Sequence, residues 1–267
     1  MAKLAAVTMV RDEQDIIEYI VANLFAREVD IVIVADNLSE DQTPAILNRL
    51  KGAYGDRLMV IEDAEEAYYQ SKKITNLAHL ANRNYGATHI LPFDADEYWY
   101  STDKRSLKEV ICTNRGIVAA TVYEHRATLL DPVDLNPISR ISWRLKAPLQ
   151  LHKLAYCYSP ELVVAQGNHL ITNLQGHGQC AEVSKLAVRH YPQRSPRQLL
   201  NKVKKGGKAY AMTNLDPKIG AHWRQWYQIF QQGGENAIYE IFLQHYYYPR
   251  PWAEEFLIYD PAPIWSR

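Results

Sequence analysis

The sequence of 267 residues is poor in cysteine and has no excess of charge of either sign. Its three cysteines, Cys112, Cys157 and Cys180, are odd in number and show no C-x-x-C spacing. That pattern argues against a disulfide framework or a cysteine zinc site and favours a reducing compartment. Thirty Lys and Arg balance thirty Asp and Glu, so the overall charge gives no reason to expect nucleic-acid binding.

Long apolar runs are also absent from the sequence. No stretch approaches the roughly 18–20 apolar residues that cross a bilayer, and charge interrupts the apolar start of the chain too early for a secretory signal. We therefore expect a cytoplasmic protein whose membrane contact, if it has any, is peripheral. The composition, 47% hydrophobic and 22% charged, is that of an ordinary globular protein.

The first hundred residues contain alternating strand and helix patterns. Apolar, β-branched runs predict four strands, at residues 4–10, 30–36, 57–63 and 88–94. Residues spaced as on one helix face predict three intervening helices: 12–26, one capped by Ser39 with Pro44 in its first turns, and one from Ile74 to Tyr85 that stops near Gly86. This order predicts an α/β fold with a mostly parallel sheet and helices on both faces.

Beyond residue 100 the pattern changes. Strand-like pieces occur around 116–122, 150–156 and 161–165, and the chain from about 195 is first helical and then aromatic. We expect residues 1–210 to form one domain, with 211–267 as a helical, aromatic-rich extension packed on it.

Acidic residues follow three of the predicted strands. Ligands of parallel α/β sheets bind at the carboxyl ends of the strands. The residues found there are Arg11-Asp12-Glu13 after the first strand, Asp36-Asn37 after the second, and Asp94-Ala95-Asp96-Glu97 after the fourth. The ends of three predicted strands thus bring acidic residues to one edge of the predicted sheet.

Asp94 and Asp96 form a D-x-D triplet. On an extended backbone, side chains two residues apart point the same way, so both carboxylates could approach one ion. Carboxylate oxygens are the ligands that Mg²⁺ and Mn²⁺ prefer, and Mg²⁺ usually adds substrate phosphates to one or two of them. A lone D-x-D is more often a solvated turn. Its position beside two other acidic strand ends favours a metal–diphosphate site.

Other residues have both a structural and a functional interpretation. Asp36 either caps a helix or accepts hydrogen bonds from a nucleobase or ribose, and Arg11 pairs with neighbouring acids or meets a phosphate. His190 is either packed or a third metal ligand. His169 either caps a turn or serves as base or ligand. The run 185–210, with eight Lys or Arg and no acid, is a solvated basic helix or a partner for phosphates.

In this order, the motifs resemble those of family 2-like glycosyltransferases of GT-A fold. "AAVTMVRDEQDIIEYIVANL" is similar to that family's opening strand, turn and helix, and "IVIVADNLSEDQT" to its Asp-Asp-Gly-Ser-x-Asp-Gly-Thr stretch. "LANRNYGATHILPFDADEYW" resembles the helix end, strand and D-x-D, and "RHYPQRSPRQLLNKVKKGGKAY" the downstream His-Tyr and Arg-Ser segment of one branch. The resemblance covers about residues 3–210.

The resemblance implies transfer of a sugar from a nucleotide diphosphate sugar, such as a UDP- or GDP-sugar, to an acceptor hydroxyl with Mn²⁺ or Mg²⁺, in glycan or polysaccharide assembly. It favours inversion at the anomeric carbon. It implies these roles: nucleotide binding for Arg11, Glu13, Asp36 and Arg83; ribose and metal–diphosphate binding for Asp94 and Asp96; metal ligation for His190; phosphate contacts for Arg194 and Lys202.

The sequence also departs from the family pattern. Asn37-Leu38 replaces Asp-Gly after Asp36, and no Glu-Asp pair of the kind that supplies the base in many inverting members follows. Glu97, Glu161 and His169 remain as candidates for the base, with Glu97 and His169 preferred.

Two other classes of function stay open at this stage. A nucleotidyltransferase or phosphoesterase also uses acidic strand ends, although a nucleotidyltransferase favours a Gly-rich basic loop where residues 10–15 have one Arg and no Gly. The second open class is a non-catalytic protein that binds nucleotide sugars.

The Tyr- and Trp-rich tail lacks a basic polar face, which favours a core or an acceptor pocket over a membrane surface.

Overall fold

The computed structural model describes residues 2–132, 136–249 and 255–263. Its strands are β1 (Leu4–Val10), β2 (Ile31–Asp36), β3 (Leu58–Glu62), β4 (His89–Pro92), β5 (Glu97–Ser101), β6 (Ile117–Thr128), β7 (Trp143–Leu145), β8 (Lys153–Cys157), β9 (Leu162–Val164), β10 (Ile171–Asn173), β11 (Glu182–His190), β12 (Tyr247–Tyr248) and β13 (Leu257–Tyr259). Its α-helices are α1 (Ile17–Ala26), α2 (Thr43–Tyr54), α3 (Gln70–Tyr85), α4 (Leu107–Cys112), α5 (Pro137–Arg140), α6 (Pro196–Ala211) and α7 (Ala221–His245).

The chain divides into two compact units. The first consists of Met1–Ala64, Tyr69–Tyr123 and Pro148–His190, and the second of Glu65–Tyr68, Glu124–Ala147 and Tyr191–Arg267. Strand β6 contributes its first part to the first unit and its last part to the second. The division into domains at 1–210 and 211–267 stays a prediction.

The sheet of the first unit is built around four parallel strands in the order β3-β2-β1-β4. Strand β8 then pairs antiparallel with β4 and with the first part of β6, and β11 pairs antiparallel with β5. The expected α/β fold class, a largely parallel sheet flanked by helices, is confirmed. Because β1 lies between β2 and β4, the carboxyl ends of these three strands meet at one edge.

Both faces of β1, β2 and β4 are buried, which explains their apolar sequences, whereas the edge strand β3 is only partly buried. Ala5 and Val7 of β1 share a core with Ile74 and Ala78 of α3. The intervening Ala6 is fully buried as well, so the opposite face is also covered.

Helices α1 and α3 end close to the predicted positions, but α1 begins at Ile17 instead of residue 12 and α3 begins at Gln70 instead of Ile74. Helix α3 ends at Gly86, whose φ of +67° lies in the left-handed region, as the sequence predicts. Helix α2 begins at Thr43 with Pro44 in its first turn. Ser39 is not its cap, because its hydroxyl accepts a hydrogen bond from the backbone N–H of Asp12 at 2.9 Å instead.

The second unit is organised around α6 and α7. Leu199 and Val203 of α6 form a core with Ile238 and Phe242 of α7. Strand β13 pairs antiparallel with β7, and β12 pairs parallel with the last part of β6. Over the described residues of both units, no helix combines the length and apolarity needed to cross a membrane.

Replacing Gly207 of α6 by alanine is expected to destabilise the second unit by about 1–3 kcal/mol, because the added methyl group overpacks the contact with α7. A Cβ at Gly207 would lie 2.3 Å from the Cβ of Tyr227. The neighbouring Gly206 is the matched control, since its Cβ would lie 3.7 Å from the ring of Trp223. Urea denaturation should show a loss for G207A alone, and equal stability of the two variants would contradict the close packing.

Candidate active site

The loops that follow β1 and β2 are tied to each other at the carboxyl edge of the sheet. Asp12 accepts hydrogen bonds from the backbone N–H groups of Glu40 and Asp41, at 2.8 and 3.3 Å. In return, the backbone N–H of Glu13 donates to the Thr43 hydroxyl at 2.9 Å. These reciprocal bonds fix the two loops in the first unit without regular secondary structure.

Three residues predicted to bind the nucleotide lie in or beside these loops. Asp36 is half-buried, and burial raises the pKa of its carboxyl, while the hydrogen bond from Ser39 lowers it. Its Oδ1 and the Nε of Arg11 are buried atoms for which the described residues provide no hydrogen-bond partner. Glu13 is buried, at 6% exposure. The structure thus brings Arg11, Glu13 and Asp36 to one edge.

The departure from the family pattern after Asp36 has a structural role. The Asn37 side-chain amide donates to the backbone O of Asp63 and to its carboxylate, at 3.1 and 3.0 Å, and Lys73 pairs with the same carboxylate at 2.6 Å. Asn37 therefore joins the ends of β2 and β3. Leu38 has a φ of +58°, so a leucine adopts the left-handed conformation at the position where the pattern has glycine.

Asp94 and Asp96 lie on a turn between β4 and β5, and Glu97 is the first residue of β5, so the expectation of an extended backbone at the D-x-D is wrong. The turn is closed by the Glu97 N–H donating to the backbone O of Asp94 at 3.0 Å. The Asp94 N–H donates to Oε2 of Glu97 at 3.1 Å, and the indole N–H of Trp99 donates to the same oxygen at 3.2 Å. The two aspartates therefore have different surroundings.

Lys153 of β8 is buried beneath this turn, with 3% of its side chain exposed. Its Nζ lies 2.5 Å from Oδ2 of Asp94 and 2.7 Å from Oε1 of Glu97. Burial alone would lower the pKa of Lys153, but the two carboxylates raise it above its ordinary value. Burial raises the pKa of Glu97 to about 7, although Lys153 opposes this. Glu97 is 0% exposed, so an acceptor hydroxyl does not reach it in this conformation.

Asp94 has two further partners. Its Oδ1 accepts hydrogen bonds from Gln70, the first residue of α3, and from Asn168, at 2.9 and 3.0 Å. Gly167 completes this arrangement, because its carbonyl accepts from Lys153 at 2.8 Å and its N–H donates to Gln70 at 2.8 Å. The φ of Gly167 is +85°, and a Cβ there would lie 3.0 Å from the His169 ring, so the position suits glycine alone.

Asp96 and His190 form the part of the site that suits a divalent cation. Oδ1 of Asp96 lies 3.6 Å from Nε2 of His190. Among the described residues no group of three or more His, Cys, Asp or Glu side chains is arranged to hold a metal ion. One carboxylate and one imidazole fit a cation that completes its shell with phosphate oxygens, and they do not fit one held by the protein alone.

His169 lies within electrostatic reach of Lys153, Asp94 and His190. Its Nδ1 is 2.9 Å from the backbone O of His152, so Nδ1 carries the proton and Nε2 is left as an acceptor. Burial and then Lys153 lower the pKa of His169 to about 4. The imidazole is therefore neutral near pH 7.

The remaining candidates lie elsewhere. Arg83 is exposed and lies thirteen residues beyond Gln70 in α3, which is about 20 Å at about 1.5 Å per residue, so it is at the opposite end of that helix from Asp94. Glu161 is exposed just before β9.

Arg194 and Lys202 belong to the second unit. Arg194 is 1% exposed, and its Nη1 donates to the backbone O of Tyr191 at 3.1 Å. Such burial does not leave its guanidinium available to a diphosphate in this conformation. Lys202 is half-buried on α6 and stays a prediction.

Sequence reasoning missed three residues that surround Asp94: Gln70, Lys153 and Asn168. A polar residue at a helix start, a lysine in a strand and an asparagine in a loop are each common, and each is far from Asp94 along the chain. One local signal was present. Asn168 follows a glycine in "QGNH" and has a φ of +60°, a conformation that asparagine tolerates better than most residues.

A surface pocket of about 660 Å³ lies at a different edge of the first unit. Its lining includes Phe25, Asp30, Arg57 and Lys108. Asp30 immediately precedes β2, so this pocket is at the amino end of the parallel strands. The size of the pocket therefore does not identify the site, which the chemistry at the carboxyl edge indicates instead.

Comparison with known proteins gives similarity to solved structures only. No protein-family model matches the sequence, and no curated protein matches it. Residues 1–349 of S. aureus TarS in complex with UDP are 12% identical, with a TM-score of 0.38 over 84% of this chain and 69% of that one. The mannosyltransferase PcManGT from Pyrobaculum calidifontis, in complex with GDP-Man and Mn²⁺, is 14% identical, with a TM-score of 0.40 over 89% and 72%. Similarity at this level does not extend to activity.

Proposed function

We propose that this protein transfers a sugar from a nucleotide diphosphate sugar to an acceptor hydroxyl with the help of a divalent cation. One observation carries the proposal: the turn after β4 holds Oδ1 of Asp96 3.6 Å from Nε2 of His190. Strand β4 neighbours β1 in the sheet. The loops after β1 and β2 bring Arg11 and Asp36 to the same edge. The order of these motifs is that of family 2-like glycosyltransferases.

The nucleoside is proposed to bind beside Asp36. A buried carboxylate oxygen without a partner is costly, and a nucleobase N–H or a ribose hydroxyl would supply the missing donor. Arg11, with its buried Nε, is placed to contact a phosphate. Glu13 borders the same loops and is proposed to support the nucleoside.

The divalent cation is proposed to bind between Asp96, His190 and the diphosphate. When bound, Mn²⁺ or Mg²⁺ would stabilise the negative charge that grows on the leaving diphosphate. The protein's part is to hold one carboxylate and one imidazole at a fixed separation. The side chain of Asp94 is 30% exposed. The exposed part of its carboxylate is proposed to accept a hydrogen bond from the ribose or the sugar.

His169 is the proposed base, and Glu97 is proposed to anchor the turn instead. A base must lie within hydrogen-bond reach of the acceptor hydroxyl, and the full burial of Glu97 prevents this. Nε2 of His169 is an acceptor, and a bound diphosphate would raise the low pKa of the ring because it adds negative charge nearby. An inverting reaction, a cytoplasmic location and a role in glycan assembly belong to this proposal as well.

The decisive experiment incubates the protein with UDP-, GDP- and dTDP-sugars and Mn²⁺ and measures nucleoside diphosphate release. Slow release without acceptor is expected, and EDTA should abolish it. Release of pyrophosphate or nucleoside monophosphate would instead indicate a nucleotidyltransferase or phosphoesterase. Binding without release would indicate a non-catalytic protein, and failure to bind any nucleotide sugar would refute the proposal.

A further inference from the structure

Positive charge is concentrated in one segment of a chain whose total charge is zero. Residues 191–249 contain eight Lys or Arg and three Asp or Glu, and they belong to the second unit, where they include α6 and α7. Arg194 is buried, but Arg197, Lys208 and Lys218 are exposed. An excess of positive charge of this kind attracts a negatively charged partner.

Helix α7 consists of two arms that fold back on each other. Gly234, at φ +69° and ψ −160°, interrupts the helix with a conformation that is essentially restricted to glycine. The ring centroids of Trp226 and Tyr246 lie 6.0 Å apart, whereas twenty residues of straight helix would separate them by about 30 Å. The hairpin therefore brings aromatic residues of both arms side by side.

The apolar side chains of this hairpin are for the most part only partly buried. Around the buried Ile238 and Phe242 lie half-exposed side chains that include Trp223, Trp226, Ile229, Phe230 and Tyr246. The rings of Trp223, Trp226 and Tyr246 form a continuous row, with centroids 5.4 and 6.0 Å apart. Leu243 is 54% exposed. Continuous apolar surface with a polar rim is typical of a contact with another molecule or with a membrane.

Cations lie directly against these rings. Nζ of Lys204 in α6 is 5.0 Å from the centroid of the Phe230 ring, and the Arg126 guanidinium is 4.6 Å from that of Tyr246. Lys204 also pairs with Glu235, but the two side chains are 36% and 54% exposed. The aromatic tail has no basic face of its own, and α6, which packs against it, supplies one.

We propose that the half-exposed rings of α7 and the cations around them, the α6–α7 surface, dock onto a membrane that contains anionic lipids. The rings enter the headgroup region, and the Lys and Arg side chains contact the lipid phosphates, a combination that is typical of interfacial helices. A nucleic acid would also be attracted by the charge, but the exposed Leu243 favours a lipid surface. The inference does not depend on the sugar transfer proposed above.

Co-sedimentation of the full chain with vesicles tests the proposal. The vesicles consist of phosphatidylcholine alone or of phosphatidylcholine and phosphatidylglycerol in equal parts. We expect binding to the anionic vesicles only, and weaker binding when salt rises from about 0.1 to about 1 M, because the Debye length falls from about 10 to about 3 Å. Brominated phosphatidylcholine in the anionic vesicles should quench tryptophan fluorescence, since Trp223 and Trp226 then lie in the bilayer surface.

Two charge variants assign the binding to the α6–α7 surface. Each Lys or Arg near an anionic membrane strengthens binding about fivefold. Binding should therefore weaken at least about tenfold when three exposed cations of the second unit are replaced together, as Arg197→Gln, Lys208→Gln and Lys218→Gln. The matched control replaces three exposed cations of the first unit and should change binding less than about twofold, with Lys51→Gln, Lys72→Gln and Arg115→Gln.

The apolar contribution is tested by Leu243→Ser, which should weaken binding about three- to tenfold. Leu174→Ser is its control, because Leu174 is 65% exposed in the first unit and should leave binding unchanged. Equal losses in the two charge variants, equal binding to neutral and anionic vesicles, or no binding to either would overturn the proposal. Binding of a DNA oligonucleotide without binding of vesicles would assign the surface to nucleic acid instead.

Discussion

Replacing Asp96 by asparagine is expected to lower Mn²⁺-dependent turnover of a nucleotide sugar roughly hundred- to thousandfold, the loss typical of removing one group that stabilises transition-state charge. The substitution keeps the shape of the side chain and removes the charge beside His190. Asp96 is 6% exposed, and because asparagine fills the same volume, the fold should persist. Calorimetry should show that Mn²⁺-dependent binding of the nucleotide sugar is lost together with turnover.

Asp103 offers a matched control for Asp96. It follows β5 in the same unit and is paired with Arg105 at 2.7 Å, on the surface and away from the carboxyl edge. Asp103→Asn should leave turnover and Mn²⁺ binding unchanged. Normal Mn²⁺-dependent binding in Asp96→Asn, or an equal loss in both variants, would remove Asp96 from the proposed cation site.

The part of the fold that the sequence predicts is the part with strong local periodicity. The four apolar runs and the helix that ends at Gly86 are predictable because each signal lies within a dozen or so neighbouring residues. The meeting of three acidic strand ends followed from parallel topology. Ser39 was misassigned as a cap because its hydroxyl is used by the backbone of Asp12, a loop-to-loop contact that no local pattern contains.

The candidate site is less predictable because the residues that contact Asp94 are distant from it along the chain. Lys153 is 59 residues from Asp94, and its strand pattern does not distinguish a buried ion-paired lysine from one that reaches solvent. The prediction of an extended backbone at Asp94 and Asp96 is wrong for a related reason. Glu97 folds back onto the Asp94 N–H, and that contact depends on burial, which the sequence of the turn does not reveal.

Removal of the Lys153 ammonium should be the most destabilising single change near the site. Lys153→Met replaces the side chain by an unbranched apolar one and leaves two carboxylates facing each other, one of them 0% exposed. Breaking a buried ion pair by removing one partner costs about 3–5 kcal/mol. Urea denaturation followed by circular dichroism should show a loss of unfolding free energy of this size.

Two comparisons show whether burial is the cause of that loss. Lys108 forms an ion pair of 2.7 Å with Asp30, but the two side chains are 33% and 27% exposed, so Lys108→Met should cost less than about 1 kcal/mol. Adding Glu97→Gln to Lys153→Met should recover part of the stability, because it removes the fully buried one of the two uncompensated charges while keeping an acceptor for Trp99. Equal losses for the two lysines, or no recovery in the double variant, would mean that Lys153 is stabilised by packing of its methylene chain and not by the two carboxylates.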